Sequence, residues 1–189
     1  MMKILILDNH DSFTYNLAEL LRSFDKVTFN IYTPESLVLE HVGRYDKILF
    51  SPGPGLPDEQ PVMFDVLERF GLKKPVLGIC LGFQAIAVYF GAHLYNLPRV
   101  VHGQSRALNI LRPEHYLFKQ IPERTPVGLY HSWAVGEFPG PPLVALAESD
   151  DGILMALAHG QADICGVQFH PESIMTPAGR RMMQNWIEH

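Results

Sequence analysis

The sequence predicts an α/β fold built on a doubly wound, mostly parallel sheet with helices on both faces. Up to residue 91, short apolar runs of strand length alternate with segments of helical apolar spacing, and the connections between them are short. Beyond residue 91 the pattern changes to short β-like runs separated by turn signals, which predicts antiparallel additions to the sheet. The sequence shows no linker or internal repeat, so residues 1–189 are expected to form a single domain.

Four segments predict the strands of the parallel part of the sheet, and the first of them, Lys3–Leu7, reads as a strand buried on both faces because it is a nearly continuous apolar stretch. The four predicted strands are Lys3–Leu7, Val27–Tyr32, Asp46–Phe50 and Val76–Ile79. In such sheets ligands bind beyond the carboxyl ends of the strands. The segments that follow three of these strands are therefore expected to gather at one edge: Asp8–Asn9, Ser51–Gly55 and Cys80.

Apolar residues at helical spacing predict helices between these strands. The first begins near Phe13, and either Asp11 or Ser12 is expected to cap it. Thr33–Ser36 has the pattern of a helix start, with proline at the tolerated first position. Two further helices are predicted over Pro61–Phe70 and Leu81–Gly91.

The second half contains five predicted strands and a final helix. Turn residues at Pro139–Pro142 and Ser149–Gly152 separate some of the strands. Thr176-Pro177 is expected to open the last helix, with Thr176 as its cap and an inward face of Met182, Met183, Trp186 and Ile187. The strands are Ser105–Leu111, Pro126–Tyr130, Leu143–Glu148, Ile153–His159 and Asp163–Phe169.

Composition excludes several functional classes. A net charge of -5 and a pI near 6.0 argue against a nucleic-acid-binding protein, which usually presents a basic face. The nine histidines are scattered without the spacing of a zinc site, so no metal ion or other cofactor is expected. No signal peptide and no apolar run of membrane-spanning length is evident, which predicts a cytoplasmic protein that does not bind membranes, with Cys80 and Cys165 reduced.

Cys80 is the candidate nucleophile, because it lies at the junction between a predicted strand and a predicted helix. Gly78 and Gly82 flank it at two residues on either side, as small residues do in a sharp strand-to-helix turn that exposes a nucleophile. The free N–H groups of a helix beginning at Leu81 would favour the thiolate. The alternative is that Cys80 is a small core residue, which is the commoner role of a free cysteine.

The loop Ser51–Glu59 is a candidate for binding an oxyanion or a carboxylate. Its three prolines stiffen the backbone, and its two glycines leave backbone N–H groups unobstructed. It lacks the Gly-Lys-Ser/Thr ending of a phosphate-binding P-loop, and an ordinary surface loop remains the alternative.

His170-Pro171-Glu172 supplies a candidate base and its orienting carboxylate. The strand Asp163–Phe169 delivers His170 at its carboxyl end, and Pro171 disfavours helical backbone there. Glu172 can accept a hydrogen bond from the imidazole, which would fix the tautomer and stabilise the imidazolium. Cys165 reads as strand core, and no chemistry is assigned to it.

These residues resemble the class I, or triad, glutamine amidotransferases over essentially the whole chain. The resemblance rests on Gly78–Gln84, Ser51–Gly55 and Gly166–Ser173, which are highly specific in this order. Asp8–Leu17 and Tyr130–Ser132 are similar to the glutaminase subunits that pair with chorismate-using synthases. The resemblance implies a flavodoxin-like fold and glutamine as substrate. It also implies, as partner, a chorismate-binding synthase subunit that makes anthranilate or 4-amino-4-deoxychorismate.

The resemblance further implies roles for individual residues. Cys80 would attack the side-chain amide of glutamine, with the oxyanion held by the N–H groups of Gly53 and Leu81. His170 would move the protons and Glu172 would orient it. Ammonia would pass to the partner through a protein tunnel. The residues expected to bind glutamine are Gly53, Pro54, Gly55, Gln84, Ser132 and the backbone at Trp133.

Three positions depart from the family pattern. Trp133 stands where Leu is expected, Leu129 where Arg is common, and Gln104–Arg106 replaces a Lys-Thr/Ser pair. None of them is a triad member. Two other functions are considered: a stand-alone cysteine hydrolase active without a partner, and a non-catalytic flavodoxin-like binding protein, in which Cys80 would be no more reactive than Cys165.

Overall fold

The computed structural model describes residues 1–137 and 140–189 and shows one nine-stranded sheet in the order β2-β1-β3-β4-β9-β8-β7-β5-β6. Neighbours from β2 to β9 in that order are parallel, and neighbours from β9 to β6 are antiparallel. The predicted fold class is therefore confirmed. The strands are β1 (Met2–Leu7), β2 (Val27–Tyr32), β3 (Lys47–Phe50), β4 (Val76–Ile79), β5 (Leu94–Ile110), β6 (Pro126–Val135), β7 (Leu143–Ser149), β8 (Leu154–His159) and β9 (Ile164–Val167).

Helices cover both faces of the parallel strands. Along β1, Ile4 and Ile6 belong to one apolar cluster and Leu5 and Leu7 to the other, because successive side chains of a strand point to opposite faces. The first cluster includes residues of α1 and α4, and the second includes residues of α2 and α3. The helices are α1 (Thr14–Arg22), α2 (Val62–Val66, continued by a π turn over Leu67–Gly71), α3 (Leu81–Tyr89) and α4 (Gly179–Glu188).

The second-half strands differ from the prediction in length. The predicted strand Ser105–Leu111 is the end of the 17-residue β5, and Pro126–Tyr130 is the start of β6. The pairing of β5 with β6 shifts register between Asn96 and Val101, and again between His102 and Gln104. Such bulges interrupt the alternation of apolar and polar residues, which is the sequence signal for a strand.

The predicted capping side chains do not cap α1 or α4, and no helix begins at Thr33–Ser36. The residue before α1 is Phe13, not Asp11 or Ser12, and Thr33–Ser36 closes a turn in which the Ser36 hydroxyl accepts a hydrogen bond from the Thr33 N–H (2.8 Å). Ala178 precedes α4 in place of Thr176. The Asp11 carboxylate instead accepts from the Phe13 N–H (2.7 Å), and the Thr176 hydroxyl donates to the His170 carbonyl (2.7 Å), so both side chains form hydrogen bonds that compete with capping. The inward face predicted for α4 is buried as expected.

Within the described residues, no helix is long and apolar enough to cross a membrane. The turn predicted at Ser149–Gly152 is present between β7 and β8. Part of the turn predicted at Pro139–Pro142 lies outside the described residues.

Candidate active site

The backbone at Cys80 is bent sharply between β4 and α3. Its φ of 52° and ψ of −101° lie in a region of backbone conformation that residues other than glycine rarely adopt. A Cβ on Gly78 would lie 2.4 Å from the backbone of Gly82, and a Cβ on Gly82 would lie 2.6 Å from the Phe50 side chain. Both glycines are therefore required by close packing around the turn, as the sequence predicts.

The loop after β3 lies against this turn. A Cβ on Gly53 would meet the Leu81 side chain at 2.7 Å and Asn9 at 2.7 Å. Asn9 holds the loop in place, because its N–H donates to the Ser51 hydroxyl (2.9 Å) and its side-chain amide donates to the Ser51 carbonyl (2.9 Å). Among the described residues, neither the Gly53 nor the Leu81 N–H donates to the protein. Two unpaired donors thus lie on neighbouring segments beside Cys80.

The outer part of this loop is further from the protein interior. Pro54 and Gly55 are exposed, and Gly55 has a φ of 75°. That positive φ favours glycine, whereas the Glu59 carboxylate, 2.5 Å from where a Cβ would lie, is the end of a flexible side chain that can move away. Among the described residues, the side-chain hydrogen bonds of Cys80 and His170 involve neither Pro54 nor Gly55.

His170 and Glu172 form a buried pair. The Nδ1 atom of His170 lies 2.7 Å from Glu172 Oε1, and both side chains are almost fully buried. His170 Nε2 has no hydrogen-bond partner among the described residues. Because Nδ1 is held by the carboxylate, Nε2 is the nitrogen free for chemistry at the sulfur or at a bound substrate.

The backbone of His170 is fixed at both ends by residues that the sequence does not single out for this role. Its N–H donates to the Gly128 carbonyl (3.1 Å), and its carbonyl accepts from the Thr176 hydroxyl (2.7 Å). The same hydroxyl accepts from the Gly128 N–H (2.9 Å). A Cβ on Gly179 would lie 1.9 Å from the Pro171 oxygen, so α4 begins directly against this loop. Thr176 therefore positions the histidine rather than capping α4.

Two aromatic rings enclose the imidazole. The rings of Phe13 and Tyr130 each lie 4.9 Å from the His170 ring, and they lie 4.9 Å from one another. The Tyr130 hydroxyl is 3.0 Å from the Ser173 hydroxyl, which ties β6 to the loop after His170. This enclosure limits access of water to the imidazole.

His170 has a strongly altered proton affinity. Burial acts to lower its pKa, but the neighbouring Cys80 sulfur and the Glu172 carboxylate outweigh burial and raise the pKa to about 10. At neutral pH the imidazole is therefore protonated beside the sulfur. A protonated His170 can stabilise a thiolate and later donate its proton to a leaving group.

Replacing Glu172 with Gln is expected to lower the pKa of His170 from about 10 toward the ordinary value of 6.5. Because the pKa of His170 is higher in the folded state than in the unfolded state, its protonation adds to the free energy of unfolding. This contribution is complete below pH 6.5 and is lost as the pH rises through about 10. The native protein should thus lose stability over that range more steeply than Glu172→Gln. NMR titration of the His170 ring and unfolding at several pH values measure both effects.

The exposed Glu123→Gln serves as the control for that experiment, because it makes the same chemical change on the surface. An unchanged titration of His170 in Glu172→Gln would contradict the assigned pairing.

Gln84 is buried in α3, one helical turn beyond Cys80, and it reaches β6. Its side-chain NH₂ donates to the Trp133 carbonyl (3.0 Å), to which the Nδ1 atom of His131 also bonds (2.8 Å). Ser132 lies between His131 and Trp133 in the sequence and is half-buried. The structure thus joins Gln84, one turn beyond Cys80 in α3, to the backbone of β6 next to Ser132.

The departures from the family pattern do not disturb these contacts. The contact at Trp133 uses the backbone carbonyl, so its side chain is free to vary. Leu129 is 1% exposed within the apolar core, and Arg106 donates to the Gln104 side chain on the surface (3.2 Å).

Three comparisons with known proteins identify the family and the fold. A family model described as glutamine amidotransferase class-I matches residues 5–189. A Haemophilus influenzae protein provisionally named anthranilate synthase component II is 42% identical over 187 residues, which are 98% of this chain and 96% of that protein. Anthranilate synthase component 2 of Lactococcus lactis is 38% identical over 97% of this chain and 93% of its own length. A solved structure from Thermoplasma acidophilum, provisionally described as belonging to a GMP synthase, matches 100% of this chain and 93% of its own with a TM-score of 0.89, and at 24% identity it supports the fold alone.

Proposed function

The chain belongs to the class-I glutamine amidotransferases, and we propose that it is the glutaminase subunit of a chorismate-using synthase, with Cys80, His170 and Glu172 as its catalytic triad. The observation that carries the proposal is the placement of a strained cysteine and a paired histidine and glutamate at the ends of the adjacent strands β4 and β9. The names of the relatives favour anthranilate synthase, and 4-amino-4-deoxychorismate synthase is the second candidate because the chain opening resembles both groups.

In the proposed mechanism the Cys80 thiolate attacks the amide carbon of glutamine. The N–H groups of Gly53 and Leu81, which have no acceptor in the described protein, stabilise the resulting oxyanion. His170 donates its proton to the departing nitrogen, which leaves as ammonia and forms a thioester on Cys80. The neutral imidazole then takes a proton from water, and the hydroxide releases glutamate and restores the thiolate. Glu172 keeps Nε2 directed at these groups.

Gln84 and Ser132 are proposed to bind the amino-acid head of glutamine. The Gln84 NH₂ group is occupied by two carbonyl oxygens, so its Oε1 atom is left to accept from the substrate ammonium. Gly53, Pro54 and Gly55 are proposed to line the carbonyl side, where their loop passes Leu81.

The synthase partner is proposed to cover this edge of the sheet. Ammonia must reach the partner without being protonated in solvent, so the two active sites have to communicate through protein. Two apolar side chains beside the triad are strongly exposed: Ile174 at 96%, two residues after Glu172, and Tyr15 at 67%, two residues after Phe13. Exposed apolar side chains around a site are typical of a protein interface.

Mixing this protein with each candidate synthase subunit tests the proposal. With the proper partner, chorismate and glutamine should give anthranilate, or aminodeoxychorismate if that synthase is the partner. Ammonium in place of glutamine is the control, because it bypasses this chain. If both synthases work with ammonium and neither works with glutamine, the assignment to a chorismate-using synthase is wrong.

A further inference from the structure

A chain of buried side-chain amides leads from β6 to the nucleophile. The Gln84 NH₂ group donates to the Trp133 carbonyl (3.0 Å) and to the Oε1 atom of Gln168 (3.0 Å). The NH₂ group of Gln168 in turn donates to Cys80 Sγ (3.4 Å). Gln168 is fully buried, and its backbone N–H donates to the Met155 carbonyl (2.8 Å).

The Trp133 carbonyl fixes which group of each amide in this hydrogen-bond series donates and which accepts. A backbone carbonyl can only accept, so the Trp133 oxygen requires the NH₂ group of Gln84 to face it. The second hydrogen of that group then meets Gln168, which must present its oxygen. Gln168 is therefore left with its NH₂ group facing the Cys80 sulfur. The Trp133 carbonyl of β6 thus determines that Cys80 faces a hydrogen-bond donor and not an acceptor.

His131 reinforces that direction. Burial lowers the pKa of His131, so its ring is neutral, and its Nδ1 atom must carry the proton to donate to the Trp133 carbonyl (2.8 Å). Both lone pairs of that oxygen are then used. Turning the Gln84 amide over would place its oxygen against the Trp133 carbonyl oxygen, and turning the Gln168 amide over would place two NH₂ donors against one another. Either arrangement leaves buried polar groups unpaired, which is costly.

We propose that Gln168 is an additional residue of the catalytic machinery, whose side-chain amide holds the Cys80 sulfur in place and stabilises its thiolate form. A hydrogen bond to an anion is stronger than one to a neutral group, so the donor favours the charged sulfur. Through Gln84 the same chain connects the proposed binding site for the amino-acid head of glutamine to the nucleophile. That connection rests on the proposed glutaminase function, whereas the contact at the sulfur does not.

Gln168→Glu tests the proposal, because the carboxylate has the same shape but offers an oxygen to the sulfur. We expect alkylation of Cys80 by iodoacetamide at pH 7 to slow at least about tenfold, and the pH midpoint of the reaction to rise. Mass spectrometry of the Cys80 peptide gives the rate without glutamine or a partner. The result is thus independent of whether the chain is a glutaminase, which is tested separately by glutamine hydrolysis.

Two internal controls separate this effect from misfolding. Cys165 is 1% exposed, so it stays unreactive while the protein is folded and becomes reactive if the variant unfolds. Gln161→Glu makes the same change at an exposed position and should react like the native protein. An alkylation rate and pH midpoint in folded Gln168→Glu equal to those of the native protein would overturn the proposal.

A measurement on the unaltered protein covers the case in which Gln168→Glu does not fold. Alkylation of Cys80 should shift the side-chain NH₂ resonances of Gln168 in NMR spectra and leave those of Gln161 unchanged. Gln168 resonances that do not respond to alkylation would likewise overturn the proposal.

Discussion

Replacing Cys80 with Ala is expected to abolish glutamine-dependent product formation, by about 10⁴-fold or more, while ammonium-dependent formation by the assembled synthase is retained. The reason is that the thioester cannot form without the sulfur, whereas ammonium does not use this site. The measurement is anthranilate or aminodeoxychorismate production with each nitrogen donor in turn. Because Cys80 contributes little volume to the core, the variant should still assemble with its partner.

Cys165→Ala is the matched control. Cys165 is buried in β9 with its sulfur 3.4 Å from the Tyr116 hydroxyl, and burial raises its pKa to about 12. It is therefore a thiol at neutral pH and should not act as a nucleophile. Glutamine-dependent activity should stay within a few-fold of native. Persistent glutamine hydrolysis in Cys80→Ala would show that the assigned nucleophile is wrong.

Gly78→Ala is expected to have the second large effect, on both stability and activity. The added methyl group would lie 2.4 Å from the backbone carbon and oxygen of Gly82, so either β4 or the start of α3 must move. We expect a loss of about 3 kcal/mol of folding free energy. Any movement of the turn displaces Cys80 from the Gly53 and Leu81 donors, which should lower the glutaminase rate at least about a hundredfold.

Thermal unfolding and glutamine hydrolysis, both measured on Gly78→Ala, test that expectation. Gly43→Ala is the control, because a methyl group there has only the Phe70 ring within 4 Å, at 3.9 Å, and the backbone has no positive φ. A Gly78→Ala protein as stable and active as Gly43→Ala would mean that the turn at Cys80 does not require this close packing.

The sequence by itself determined the first four parallel strands and the places where chemistry could occur. It grouped β9 with the antiparallel additions, although β9 lies parallel to β4. Continuous apolar runs predicted β1, β3 and β4 closely because buried strands leave a strong signal, and parallel strands necessarily bring their carboxyl ends to one edge. That rule placed Asp8–Asn9, Ser51–Gly55 and Cys80 at one edge, whereas His170 was assigned to the site by its chemistry. The flanking glycines of Cys80 and the short spacing from His170 to Glu172 are local features, so they could be read directly.

Only the tertiary structure decided which residues hold the site together. Thr176 reads as a helix cap, yet its hydroxyl joins the His170 carbonyl to the Gly128 N–H, 48 residues away. Gln168 reads as part of a strand, yet its side chain meets Cys80 across 88 positions of sequence. Polar side chains have several partners of similar energy, and the sheet order determines which of them lie within reach. Local sequence therefore specifies where the strands end, while the contacts that orient the cysteine and histidine depend on how distant strands are brought together.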